Sequence, residues 1–357
     1  MKSIASVLSI IALGFGLLGC PSSEGGSTPA FAVSTTAADF GVVGNAYTST
    51  LAATGGTAPF TWTVFGGVLP AGLSLNAGTG VVSGIPGTPA GNFNATFTVT
   101  DSTGKTATGS VLFAIHPRTD RVSVNGSGVA GVGASSTPSI SGDGSLVAFA
   151  SSSTNFVTDV NGAQIYVHNR QTNQIELVSR DNSASVVNEG NGVSSVSAIS
   201  ADGRYVAFVS LATNLLAPGA AVPAGQQIYV RDRQTGLTSL VSVDNNVAPN
   251  PGTGVSSAPS ISADGRYVAF VSLATNLLAP GAAVPAGQQI YIRDSQLGQS
   301  FLASQDNTNT NVEGTGGVSD TPSMNSNGGF VAFLSQATNL VTTPPSAPSD
   351  IYVRALP

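Results

Sequence analysis

ISADGRYVAFVS at residues 199–210, followed by QQIYVRDRQTGLTSLVS at 226–242, is the stretch on which the fold turns. Asp202-Gly203 is a two-residue hairpin signal, because glycine supplies the positive φ that such turns need. The Val, Phe and Tyr around it favour strands. Four strand candidates follow: a at 196–200, b at 205–210, c at 227–231 and d at 238–243. Residues 199–229 recur unchanged at 261–291. The Ile-Tyr pair of strand c stands at Ile165, Ile228, Ile290 and Ile351, in steps of 63, 62 and 61. Turn signals stand at Asp143-Gly144, Asp202-Gly203, Asp264-Gly265 and Asn327-Gly328. From about residue 120 onward the chain is therefore a tandem array of four units.

The wording SxSxDGRYVAFVS…IYVRDRQTG resembles the WD40-like repeats of the periplasmic TolB type. That resemblance implies a β-propeller with one four-stranded sheet per repeat. The array opens with a lone d-type strand at 121–124 and closes on strands a, b and c, ending at Arg354. The expectation is a four-bladed ring over 118–357, sealed by pairing the first strand with the last so that no edge stays open. The a–b and c–d turns are short, whereas the b–c loop (211–225) and d–a loop (244–259) are long. Antiparallel order puts both long loops on one rim, where binding is commonly placed.

Upstream, residues 31–117 alternate polar and apolar positions, as in FTWTV at 60–64 and FNATFTV at 93–99. LPAGLSL at 69–75, TGVVSGIP at 79–86 and TDSTG at 100–104 resemble the "putative Ig" family of bacterial surface proteins. The resemblance implies an Ig-like β-sandwich with Trp62 in its core. Asp101 is expected to cap its own turn before Gly104. The whole chain is accordingly expected to be all-β.

At the N-terminus, Met1-Lys2 precedes an apolar run over 4–18, shorter than the roughly 20 residues of a membrane-spanning helix. It reads as a signal peptide over 1–19. Leu17-Leu18-Gly19-Cys20 resembles a bacterial lipobox, which implies cleavage before Cys20 and lipidation of its thiol. Cys20 is the single cysteine, so no internal disulfide can form. Residues 20–30 make a lipidated, Ser/Gly/Pro-rich tether. The expected location is outside the cytoplasm, on the periplasmic or surface face of the outer membrane.

Charged residues make up only 8% of the chain, the formal net charge is −6, and Lys105 is the one lysine beyond the leader. Without a basic stripe there is no electrostatic footprint for nucleic acid. Gly126 to Gly131 spells GxGxxG, but it leads into another d–a loop and not a helix, so no nucleotide site is expected. Two histidines, His116 and His168, are too few for a zinc site, and no HExxH or GxSxG motif occurs. His168 holds the strand-c place of Arg231 and Arg293, read as a surface position.

The acids are the remaining candidates. Asp181, Asp244 and Asp306 end strand d, and Glu189, Glu313 and Asp320 lie in the same long loops. Together these six form the candidate binding rim. Asp159-Val160-Asn161-Gly162 has the spacing of part of a calcium loop, so Asp159, Asn161 and Asp181 are the candidate Ca²⁺ ligands. The competing reading is Asp capping its own turn. No other cofactor is expected. Tyr205, Phe208, Tyr229 and their counterparts are expected between sheets, and Arg204 and Arg266 are expected to tie neighbouring strands.

The function expected from these features is non-catalytic: a lipid-anchored envelope protein presenting a propeller to a protein or polysaccharide partner. Two alternatives stand beside it. One is a TolB-like component of a periplasmic complex. The other is a propeller hydrolase or lyase acting on glycans, against which strand a offers only Ser, Ala, Ile and similar residues.

Overall fold

The computed structural model describes residues 29–157, 162–183, 188–217, 220, 225–246, 248–279, 287–307, 314–315, 317–342 and 347–356. The expected signal peptide, Cys20, Asp159, Asn161 and Glu313 lie outside the described residues. The chain divides into two compact units after Asp120. Both are all-β, with no helix among the described residues.

The first unit contains β1 (Ala32–Val33), β2 (Gly41–Val42), β3 (Tyr47–Thr50), β4 (Ala53–Thr54), β5 (Thr61–Gly67), β6 (Leu73–Leu75), β7 (Val81–Gly84), β8 (Gly91–Thr100) and β9 (Thr106–His116). One sheet runs β2-β9-β8-β5 and a second runs β3-β7-β6, with β1 and β4 paired alongside. The alternation read in the sequence sends Phe97, Val99, Val111 and Phe113 inward. They meet Trp62, Tyr47 and Val82 in one core.

The second unit holds four sheets in sequence order. The first is β10 (Ser135–Ile140), β11 (Leu146–Ser151), β12 (Gln164–Asn169) and β13 (Gln174–Leu177). The second is β14 (Ser194–Ile199), β15 (Tyr205–Ser210), β16 (Gln227–Asp232) and β17 (Leu237–Leu240). The third is β18 (Ser256–Ile261), β19 (Tyr267–Ser272), β20 (Gln289–Asp294) and β21 (Gln299–Leu302). The last has three strands, β22 (Ser319–Met324), β23 (Phe330–Ser335) and β24 (Asp350–Ala355). Every pairing within these sheets is antiparallel between chain neighbours.

Consecutive sheets stack face to face. Phe208 and Tyr229 of the second sheet pack on Ala148 and Ile165 of the first, and Phe270 and Tyr291 repeat this on Ala207 and Ile228. The backbone links the sheets too. Gly142 N–H donates to Ala201 C=O, Ala201 N–H to Ala263 C=O, and Ala263 N–H to Ser326 C=O, at 2.9, 3.0 and 2.8 Å.

The expected ring closure is not formed. β24 pairs with β23 alone, residues 121–124 form no strand, and Val124 bridges Ala130. Ile351 and Val353 on β24 are 68% and 67% exposed. The four sheets do not bring the array back onto its own start, so they remain an open stack.

Candidate interaction rim

Among the described residues, an asparagine in the b–c loop of each repeat joins it to the long loop that precedes that repeat. In the second sheet Asn214 Nδ2 donates to Glu189 C=O at 2.8 Å, while its Oδ1 accepts from Asn191 N–H at 2.9 Å. Asn276 repeats this with Pro251 C=O and Thr253 N–H, at 3.0 and 2.9 Å. Asn155 does so with Ala130 C=O and Val132 N–H, at 2.9 and 3.1 Å. Asn339 Oδ1 takes Thr315 N–H at 2.6 Å.

Below these loops lies a buried polar belt. Gln227 Nε2 donates to Gly252 C=O and Gly254 C=O at 3.0 and 3.2 Å, and its Oε1 accepts from Ser242 Oγ at 2.6 Å. Gln164 makes the same set with Gly190, Gly192 and Ser179. Each buried donor and acceptor in this belt finds a partner, which fixes the loop bases.

The expected rim acids end up in three situations. Asp181 accepts from Ser183 N–H and Asn188 Nδ2, at 3.1 and 2.9 Å. Asp244 is 5% exposed. Its carboxylate accepts from Asn246 and Asn250, backbone and side chain alike, at 2.6–3.2 Å. Burial works against ionisation at both, but these hydrogen bonds outweigh it and hold the carboxyls below the usual range. Asp306 is buried, Glu189 is half-buried, and Asp320 accepts its neighbour's N–H, from Thr321 at 2.6 Å. Among the described acids, Asp181, Asp244 and Asp320 are each engaged by residues of their own loop. Among the described residues no group of three or more His, Cys, Asp or Glu could hold a metal ion.

The neighbours of those acids do more than sequence reasoning assigned to them. Asn182 Oδ1 accepts from Thr238 N–H of the next sheet at 2.6 Å, and its Nδ2 donates to Thr238 C=O at 2.9 Å. Asn245 grips Ser300 in the same way, at 2.6 and 3.0 Å. Arg231 runs beside this clamp, donating to Asp181 C=O at 3.2 Å and to Thr238 Oγ1 at 2.9 Å. Its burial lowers the guanidinium pKa to about 10, with Arg180 adding to the effect. The signal was present in the sequence as Asp-Asn at 181–182, 244–245 and 306–307.

His168 is buried, not at the surface as expected; β12 has a sheet face on one side and the Phe149–Phe156 cluster on the other. Its Nε2 lies 3.0 Å from Asn173 Oδ1. Gly126 to Gly131 forms a turn in which Gly128 N–H donates to Asn125 C=O at 2.8 Å. Arg204 does tie neighbouring strands, through a two-bond pair with Asp232 at 3.0 and 2.7 Å. Arg266 matches it on Asp294. A cavity of about 600 Å³ runs along β21 and the end of β24, lined by Asn245, Ser300, Leu302, Gln305, Arg354 and Leu356.

Residues 27–116 match the family model described as Putative Ig domain. This segment is an Ig-like domain. In the Ig-like domain Asp101 closes its own turn, accepting Thr103 N–H and Lys105 N–H at 2.9 and 3.0 Å. No curated protein matches the chain. Among solved structures it is similar to the protocadherin gamma B2 extracellular cadherin domains 3–6, at 11% identity over 90% of this chain and 71% of that one, with a TM-score of 0.23. A protein from Lactobacillus plantarum gives 14% identity, 90% and 88% coverage and a TM-score of 0.28. The human desmocollin-1 ectodomain gives 9%, 90% and 68%, with 0.21.

Proposed function

We propose that this protein is a non-catalytic, lipid-anchored component of the bacterial cell envelope. In this reading Cys20 carries the lipid, the Ig-like domain spaces the repeat array from the membrane, and the array is a propeller-type scaffold whose loop rim binds a polysaccharide or protein partner. The observation that carries the binding role is the joining of both long loops by Asn155, Asn214 and Asn276. A rigid stack displaying irregular loops on one side is the usual layout of a recognition surface. The inference from architecture to binding is by analogy.

The test uses the full chain. Replacing Cys20 by Ser should move the protein from the membrane fraction to the soluble fraction. Purified envelope polysaccharide should be retained by the full chain and lost when the exposed Asn191, Thr213 and Thr253 are changed to alanine. Unchanged fractionation or unchanged retention would count against the anchor or the rim respectively.

The TolB-type repeat wording favours a second reading, docking to another envelope protein inside the periplasm. Protease added to intact cells separates the two. A periplasmic protein survives it, and a surface protein is cut.

A further inference from the structure

The two ends of the sheet stack expose what its interior buries. Ile199 and Ile261, ending β14 and β18, pack into the junction with the preceding sheet, whereas Ile140, ending β10, is 58% exposed. At the other end, Ile165, Ile228 and Ile290 are fully buried, while the equivalent Ile351 is exposed. Tyr205 and Tyr267 sit against Gly265 and Gly328, the turn glycines of the next sheet. Phe330, the next in that series, is 49% exposed, and at Gly144, the turn glycine of the first sheet, a Cβ would meet only Arg170 and Ile140 of its own sheet, both at 3.8 Å, and no aromatic ring from another sheet.

The polar fittings show the same offset. Ser139 Oγ accepts Ile199 N–H at 3.0 Å and Ser260 Oγ accepts Met324 N–H at 2.9 Å. Ser323 on the last sheet and Ile140 N–H on the first would make the next such pair. The turn ladder likewise ends with Ser326 N–H at one end and Gly142 C=O at the other. The fourth-strand place beside β24 is also defined by its template. Asn182 and Arg231 hold Thr238, Asn245 and Arg293 hold Ser300, and Arg354 already reaches Asn307 Oδ1 at 3.1 Å.

One segment of the chain matches what that place takes. Aligned with LTSLVS at 237–242 and QSFLAS at 299–304, residues 118–123 read RTDRVS. Thr119 falls where Thr238 and Ser300 are clamped, and Val122-Ser123 falls where Val241-Ser242 and Ala303-Ser304 enter the core and the polar belt. Arg121 departs from the pattern, standing where leucine is found. Residues 118–122 belong to no strand. They lead into the Val124–Ala130 bridge, just as β13 and β17 lead into the Arg180–Glu189 and Val243–Pro251 bridges. The start of the array therefore carries a sequence of the fourth-strand type followed by the β10 face, in the order that one repeat bears to the next.

We infer that a second copy of this chain docks head to tail on the last sheet. Its residues 118–123 pair with the free side of β24, and its β10 face covers β22, β23, Ile351 and Phe330. The contact is heterologous, so it yields a ring or a row of chains and not a two-fold dimer. It extends an interface already built three times within the chain, which is the argument for a copy over an unrelated partner.

Sedimentation of the full chain in detergent tests this. The expected result is a particle of two or more chains. Ile351→Glu and Thr119→Pro each change an exposed residue, and each should weaken association at least tenfold. Mixing the two variants should restore a two-chain species, because each retains the end that the other lost. Near- and far-UV circular dichroism of both variants should match the parent. A monomeric parent overturns the proposal, whether its ends close on each other or stay open. So does an oligomer that both variants leave intact, or a mixture that restores nothing.

Discussion

The side-chain amide of Asn182 behaves as one more peptide group for the next sheet, taking Thr238 N–H at 2.6 Å and giving its own N–H to Thr238 C=O at 2.9 Å. Because Thr238 is buried, removing the amide leaves a backbone donor and acceptor without water to replace it. Asn182→Ala should cost about 2–3 kcal/mol in guanidinium unfolding, and Asn245→Ala a similar amount. Asn182→Asp should be no better than alanine, since a carboxylate accepts from Thr238 N–H but donates nothing to its carbonyl. Wild-type stability in either alanine variant would show that the clamp is incidental.

A second prediction concerns acid. Asp232 is held down to about 2, first by its hydrogen bonds from Arg204, against an ordinary value of 3.8. Asp294 is also lowered: burial pushes it up, but the hydrogen bonds from Arg266 and from the Leu297 and Gln296 N–H groups, with the Arg266 charge, together outweigh it. A carboxyl lowered in the folded state stabilises above its unfolded pKa, and that contribution disappears as pH falls through the folded value. Stability should therefore drop between about pH 4 and pH 2. Asp232→Asn should flatten that drop while costing about 1 kcal/mol at neutral pH, because Arg204 is partly exposed and screened. An unchanged acid transition in this variant would exclude the pair as its cause.

The third follows from close approach. Gly265 has φ +74°, and a Cβ there would run into the Tyr205 ring of the preceding sheet. Gly265→Ala should cost about 1–2 kcal/mol for the left-handed backbone and about 1–3 kcal/mol more for the collision. In the double variant Tyr205→Ala/Gly265→Ala only the backbone share should remain. A double-mutant cycle measured by thermal unfolding should thus show coupling of about 1–3 kcal/mol, the collision share. Strict additivity would mean that the ring simply moves aside.

Much of the fold could be read in advance because its signals are local. Asp202-Gly203 and the run from Tyr205 to Ser210 placed β15 at its observed bounds, and the Ile-Tyr period placed the four sheets. Strand d was read too long, at 238–243, because the Leu-Val-Ser-Val run continues after the chain turns aside to form the Val243–Pro251 bridge. His168 lies inside because the arginine that fills its place in the second repeat, Arg231, is itself buried, so sharing that place with arginine is no mark of a wet surface, and β12 is covered on both faces. Ring closure failed as an expectation for a different reason. The sequence specifies which strand suits which neighbour, but whether four sheets turn through a full circle depends on small angles that no residue spells out. The asparagine clamps were visible as repeated letters, yet asparagine is so common in turns that its spacing gave no hint of a partner some 56 residues away.

That distinction between turn former and ligand leads to the last prediction, which concerns calcium. A Ca²⁺ ion needs about six to eight oxygens, most of them uncommitted until it arrives. At Asp244 the carboxylate already accepts four hydrogen bonds from Asn246 and Asn250, and the side chain is buried. A cation would have to displace those donors, leaving Asn250 N–H unsatisfied in the loop it closes. Calcium or EDTA should therefore leave unchanged whatever part of the melting temperature depends on Asp244. Asp244→Ala should itself cost about 1–2 kcal/mol through the lost turn, with or without calcium. The reading fails if calcium raises the melting point of the parent protein and Asp244→Ala abolishes that rise, because the carboxylate would then be serving the ion and not the turn.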